Sequence, residues 1–133
     1  MKKALLFVLL LAASFTLSQS VKAQTMYFCE SVSNDGYPNG ESSVFNIPSA
    51  GGYLNVLVRL PYSVDVTSVR YEIYKVDRNG NESYDNTIYQ DTQRDWVWFW
   101  KQVTFYDPGT YNIYLYDPSN YLLTSGSVKI QYR

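Results

Sequence analysis

The sequence predicts an all-β fold, an antiparallel β-sandwich of seven or eight strands, on three observations. Apolar and polar residues alternate with period two over short segments, and no segment repeats its apolar positions with the 3.6-residue period of a helix. Clusters of Gly, Pro, Asn and Asp separate these segments at turn-like intervals. Tyrosine, a strand-forming residue, occurs 14 times in 133 residues.

Residues 1–23 read as a secretory signal peptide. Lys2 and Lys3 form a positive start, Ala4 to Phe15 an apolar run too short to span a bilayer, and Val21-Lys22-Ala23 a small-residue cleavage site. Residues 24–133 then form a single β-sandwich domain with no second apolar stretch long enough to cross a membrane. The leader holds three of the 11 Lys and Arg and none of the 12 Asp and Glu, so the remaining 110 residues carry a formal charge of −4. No basic stripe survives, which argues against a nucleic-acid partner or an anionic membrane surface.

Eight strands are expected: Thr25–Ser31, Ser43–Ile47, Tyr53–Leu60, Thr67–Val76, Ser83–Gln90, Trp96–Tyr106, Thr110–Asp117 and Leu122–Tyr132. The first contains Cys29, the single cysteine, which is either a buried small hydrophobe or the anchor of an intermolecular disulfide. Asn34 to Gly40 is a turn-rich connector. In the third strand, alternation directs Leu54, Val56, Val58 and Leu60 to the core and Tyr53, Asn55, Leu57 and Arg59 outward, and Pro61 ends the ladder. In the fourth, Val69, Tyr71 and Ile73 point inward while Arg70, Glu72 and Tyr74 point outward. Asp77 to Asn81 forms a turn with Gly80 at a positive φ. Tyr111, Ile113 and Leu115 face the core, and Asn112, Tyr114 and Tyr116 face solvent. Asp117-Pro118-Ser119-Asn120 turns the chain into the last strand, where Gly126 reads as a bulge.

The run Tyr106-Asp107-Pro108-Gly109-Thr110-Tyr111-Asn112-Ile113-Tyr114-Leu115-Tyr116-Asp117, with the following turn and strand, resembles the last hairpin of bacterial immunoglobulin-like β-sandwich domains. That resemblance implies an immunoglobulin-like antiparallel β-sandwich in which Tyr111 is a tyrosine corner. Ile113 would then stand where antibody domains carry a cysteine, so the likeness is to members without the inter-sheet disulfide. A short aromatic-rich domain after a Lys-rich leader also looks like the small exported proteins of Bacteroidetes-type bacteria. Neither resemblance implies an activity.

The absence of histidine excludes Ser-His-Asp and Cys-His catalysis and His-ligated zinc or copper. Carboxylates are the remaining acid-base groups. Asp91 with Asp95, or Asp107 with Asp117, are the candidate pairs for a small hydrolase, although turn formation explains their contexts better. Asp77, Asn79, Asn81 and Glu82 have the oxygen donors of a calcium loop without its spacing, so no metal and no cofactor is expected.

The most distinctive segment is Asp95-Trp96-Val97-Trp98-Phe99-Trp100-Lys101. As a strand it places Trp96, Trp98 and Trp100 on one face at a repeat of about 7 Å. Those rings are either core or an outward ladder able to stack on sugar rings or on a partner's apolar surface. Tyr114 and Tyr116, with Tyr74 and Tyr89, extend such a face. The expected function is a non-enzymatic, exported module, periplasmic, cell-surface or extracellular, that binds a protein partner at the cell envelope or itself. A carbohydrate-binding module using the Trp stripe is the alternative, and a carboxylate-dependent hydrolase the third.

Overall fold

The computed structural model of the protein describes residues 25–133, so the signal-peptide expectation for residues 1–23 lies outside the described residues. Ten strands follow in order: β1 (Met26–Cys29), β2 (Ser31–Val32), β3 (Pro38–Asn39), β4 (Val44–Ile47), β5 (Gly52–Arg59), β6 (Ser68–Val76), β7 (Glu82–Asp91), β8 (Trp98–Phe105), β9 (Gly109–Tyr116) and β10 (Leu122–Tyr132). A small sheet has the order β1-β5-β8, a large one β4-β10-β9-β6-β7, and β2 pairs β3 in a two-stranded piece. Among the described residues no helix is long and apolar enough to cross a membrane.

The eight expected strands are all present, yet the architecture differs from a plain sandwich of seven or eight antiparallel strands. The connector after β1 folds into its own hairpin, in which Glu30 N donates to Asn39 O at 3.0 Å and Ser33 N to Tyr37 O at 2.9 Å. Pairing is antiparallel except between β4 and β10, which run parallel with Val44 opposite Lys129 and Ile47 opposite Tyr132. The chain reaches that edge by leaving the small sheet after β1 and crossing to the large one, a crossover that period-two patterning does not encode.

The core lies between the two main sheets. Met26 and Phe28 of β1, Leu54, Val56 and Val58 of β5, and Phe99, Val103 and Phe105 of β8 are buried on one side. Val69, Tyr71 and Ile73 of β6, Tyr111, Ile113 and Leu115 of β9, and Val128 and Ile130 of β10 are buried on the other. These are the inward sets that alternation predicts for β5, β6 and β9. Tyr111 also donates its hydroxyl to Asp107 O at 2.9 Å, the backward bond of a tyrosine corner.

Gly126 is not a bulge. It pairs in register with Ile113, and the register shift in this hairpin falls between Leu122 and Thr124. The glycine serves close packing instead: a Cβ there would stand 3.0 Å from Phe28 Cε2 and Cζ and 3.1 Å from Met26 Sδ.

The outward set of β5 is also corrected. Leu57 and Cys29, both on the outer face of the small sheet, are 0% exposed, because the β2–β3 hairpin folds over that face. Asn55 Nδ2 donates to Glu30 O at 2.8 Å, and the Arg59 guanidinium lies 4.2 Å from the Tyr37 ring centroid while donating to Gly36 O. Cys29 is therefore a covered thiol that donates weakly to Asn55 O at 3.7 Å, out of reach of a second chain.

Candidate functional site

The three tryptophans do not form one row. Period-two alternation begins only at Trp98, where β8 starts. Trp96 sits before the strand, its N–H bonded to Gln93 O at 3.1 Å and its carbonyl to Val64 N at 2.8 Å. Its ring packs on Phe99 at the margin of the core, 6.1 Å between centroids. Val97, which a continuous strand would direct inward, is 44% exposed. Trp98 and Trp100 do share the outer face of β8, opposite Arg59 and Leu57 of β5. The Trp98 indole is partly covered because it packs on Gly36 of the hairpin, and Trp100 is 46% exposed. The segment is thus partly core and partly surface. Beside it opens a cleft of about 440 Å³ lined by Gln90, Asp95, Trp96, Val97, Trp98 and Trp100.

A second aromatic surface covers the outer face of the large sheet. Register places Tyr89, Arg70 and Tyr116 in one cross-strand row, Thr87, Glu72 and Tyr114 in the next, and Tyr84, Tyr74 and Asn112 in the third. The Tyr74 ring meets Tyr84 and Tyr114 edge-on, with centroids at 5.8 and 5.6 Å. Arg70 stands 4.8 Å over the Tyr116 ring, and its guanidinium donates to Glu72 Oε2 at 2.7 Å, Asn120 Oδ1 at 2.8 Å and Asp117 O at 3.2 Å.

Two carboxylates lock the rings. Tyr74 donates its hydroxyl to Glu72 Oε1 at 2.9 Å, and Tyr114 donates to Glu82 Oε2 at 2.6 Å, which also accepts from Asn112 Nδ2 at 2.9 Å. The Arg70 hydrogen bond, helped by Tyr74, holds the Glu72 carboxyl below the ordinary carboxylate range. Tyr114 and then Asn112 do the same for Glu82. In return the hydroxyls of Tyr74 and Tyr114 are raised, chiefly by their bonds to Glu72 and Glu82. Tyr84 and Tyr89 remain 62% and 71% exposed at the edge of this lattice.

The predicted Tyr114 and Tyr116 therefore lie together on the large sheet, while Trp98 and Trp100 lie on the opposite face of the molecule, and Trp96 leaves their row to line the adjoining cleft with its ring against the core margin. Sequence reasoning missed Tyr84, Arg70 and Glu72 as partners in the lattice. The turn at Asp77–Asn81 carries the signal: counting outward from it places Val76 opposite Glu82 and Tyr74 opposite Tyr84.

The candidate calcium loop is a hairpin turn in which Asp77 Oδ1 accepts from Asn79 N and Asn81 N, both at 2.9 Å, with Gly80 at φ 84°. Asp117 builds the same turn through Ser119 N and Tyr121 N, with Asn120 at φ 66°. Among the described residues no group of three or more His, Cys, Asp or Glu side chains is placed to hold a metal ion.

No family model and no curated protein matches the chain. Its fold is similar to the crystal structure of an immunoglobulin-like protein from Pseudomonas aeruginosa, with a TM-score of 0.51 and 10% identity over 82% of this chain and 94% of that one. At that identity the likeness establishes the fold alone: an all-β, immunoglobulin-like arrangement of sheets.

Proposed function

We propose that the chain is an exported, non-enzymatic interaction module that binds a protein partner at the cell envelope, or a second copy of itself, through the tyrosine face of its large sheet. One observation carries this reading. Tyr74 and Tyr114 are held in place by Glu72 and Glu82, and Tyr116 stacks under Arg70, so the face is ordered before any partner arrives. Rings already fixed in one rotamer lose little entropy on binding, and Tyr and Arg are the residue types that dominate interface energetics. The signal-like residues 1–23 support export.

The test is site-specific photo-crosslinking in the source cells. A benzoylphenylalanine at Tyr84 or Tyr89 is expected to trap a protein, whereas one at Val44, exposed on β4 at the other edge of the large sheet, is expected to trap none. Sedimentation of the purified protein separates self-association from a foreign partner. Equal labelling from all three positions, together with a monomer in sedimentation, removes the proposal. The carbohydrate-binding alternative keeps Trp100 and the cleft of about 440 Å³ beside it, and a glycan panel read by tryptophan fluorescence decides it.

A further inference from the structure

Among the described residues the small sheet ends at β8, which pairs there only with β5. Leu60 N donates to Val97 O at 2.8 Å, so 60 and 97 form a hydrogen-bonded pair of the antiparallel ladder. Pairs of this kind recur every second residue. Phe99, Lys101 and Val103 therefore spend their backbone groups on β5, whereas Trp98, Trp100, Gln102 and Thr104 direct theirs to the open edge. One of these outward groups has a partner: Gln90 Nε2 reaches from β7 to the Trp100 carbonyl at 2.8 Å, while Gln90 Oε1 accepts from the buried Tyr71 hydroxyl at 2.6 Å.

Side chains give the edge a chemical preference. Lys101 sits on the inner face, opposite Val56 and between Phe99 and Val103, half-buried, and no carboxylate among the described residues pairs with it. An inward cation on an edge strand opposes pairing with any strand that brings an apolar or cationic residue beside it. Two copies paired antiparallel about Lys101 would set the two ammonium groups against each other. A strand with a carboxylate at that register would instead find an unpaired countercharge. Asp95, the acidic residue of the neighbouring cleft, is six residues away, about 20 Å along an extended chain, and does not oppose that pairing.

We infer that the open edge of β8 receives an extended segment of a partner protein as a fourth strand of the small sheet, with a carboxylate of that segment beside Lys101 and an apolar side chain in the Trp96–Trp98–Trp100 cleft. The incoming N–H takes the Trp100 carbonyl from Gln90. This surface is distinct from the tyrosine face, so its failure leaves the crosslinking result at Tyr84 and Tyr89 unaffected.

The probe is a pair of nine-residue Thr/Val strand peptides, one with a central Glu and one with a central Lys, titrated into the 15N-labelled protein. The Glu peptide is expected to shift the amides of Trp98, Trp100, Gln102 and Thr104 and to bind about tenfold more tightly than the Lys peptide. Lys101→Glu is expected to invert that order, and Lys101→Gln to abolish the preference while the spectrum stays folded. If neither peptide moves these amides, Lys101 only guards the edge and the inference is overturned. Equal binding of both peptides, or an order unchanged in Lys101→Glu, overturns it as well.

Discussion

The indole of Trp98 packs directly on Gly36, so that the backbone of the β2–β3 hairpin rests on an aromatic ring of the small sheet's outer face. A Cβ at Gly36 would stand 2.4 Å from Trp98 Cδ2 and 2.5 Å from Cε2, and its φ of +83° disfavours any L side chain. Gly36→Ala is expected to cost about 1–3 kcal/mol in urea denaturation, from backbone strain plus overpacking. An unchanged midpoint would show that the hairpin does not rest on the indole.

Cys29 reports on the same cover. Burial, and then the nearby Glu41 charge, raise its thiol above the ordinary value of 9.0. A disulfide reagent such as dithionitrobenzoate is expected to react slowly with the native protein and stoichiometrically in urea, and Gly36→Ala should speed the native reaction. Immediate labelling of the native protein, or a reductant-sensitive dimer in light scattering, would contradict the covered thiol.

Tyr111 joins core packing to a single hydrogen bond. Tyr111→Phe keeps the ring against Phe105, 4.8 Å between centroids, and deletes the bond to Asp107 O. The expected loss is about 0.5–1.5 kcal/mol. Burial pushes the Tyr111 hydroxyl up to about 12, so spectrophotometric titration of the variant should lack one late tyrosine step near that pH. A full-height curve would place the late step elsewhere.

The tyrosine lattice fixes a pH window. The Glu72 and Glu82 carboxyls are lowered from 4.5 in the fold, so their stabilisation is complete above that value and is lost as pH falls through the folded pKa. The Tyr74 and Tyr114 hydroxyls are raised from 10.0, so their share is complete below that value and is lost as pH rises through the folded pKa. Tm is therefore expected to be flat with respect to this network between the two limits and to fall outside them. Solvent screening keeps the acid effect small. Glu82→Gln should flatten the acid limb in calorimetry, and an unaltered limb would remove Glu82 from the network.

Gly126 separates packing from backbone freedom, since its φ is not positive. Gly126→Ala meets the Phe28 ring at 3.0 Å and is expected to destabilise by about 1–3 kcal/mol, although alanine is ordinarily neutral or favourable in a strand with an extended backbone. Phe28→Leu in the same chain should recover part of the loss in denaturant titrations; no recovery would point away from this contact.

Strand positions and inner faces were legible because a half-buried sheet writes its burial into alternating residues. β5 carries Leu54, Val56 and Val58 inward, β6 Val69, Tyr71 and Ile73, and β9 Tyr111, Ile113 and Leu115, as the pattern requires. The pattern says which residues share a face, not what covers that face. Leu57 and Cys29 are buried because a separate hairpin lies on them, and no residue in β5 or β1 announces it. The tryptophan segment misled for a related reason: alternation extends only as far as the ladder, and Trp96 precedes the first residue of β8.

By itself the sequence determined an all-β chain, the absence of histidine chemistry, an acidic balance and the inner faces of its main strands, because composition and period-two alternation are local properties. The tertiary structure alone decided the parallel β4–β10 edge, the hairpin over Leu57, the meeting of Tyr74, Tyr84 and Tyr114 on one surface, and the open edge at Trp98 to Thr104. Each depends on register and on contacts between residues distant in the chain, and local patterning holds no record of either.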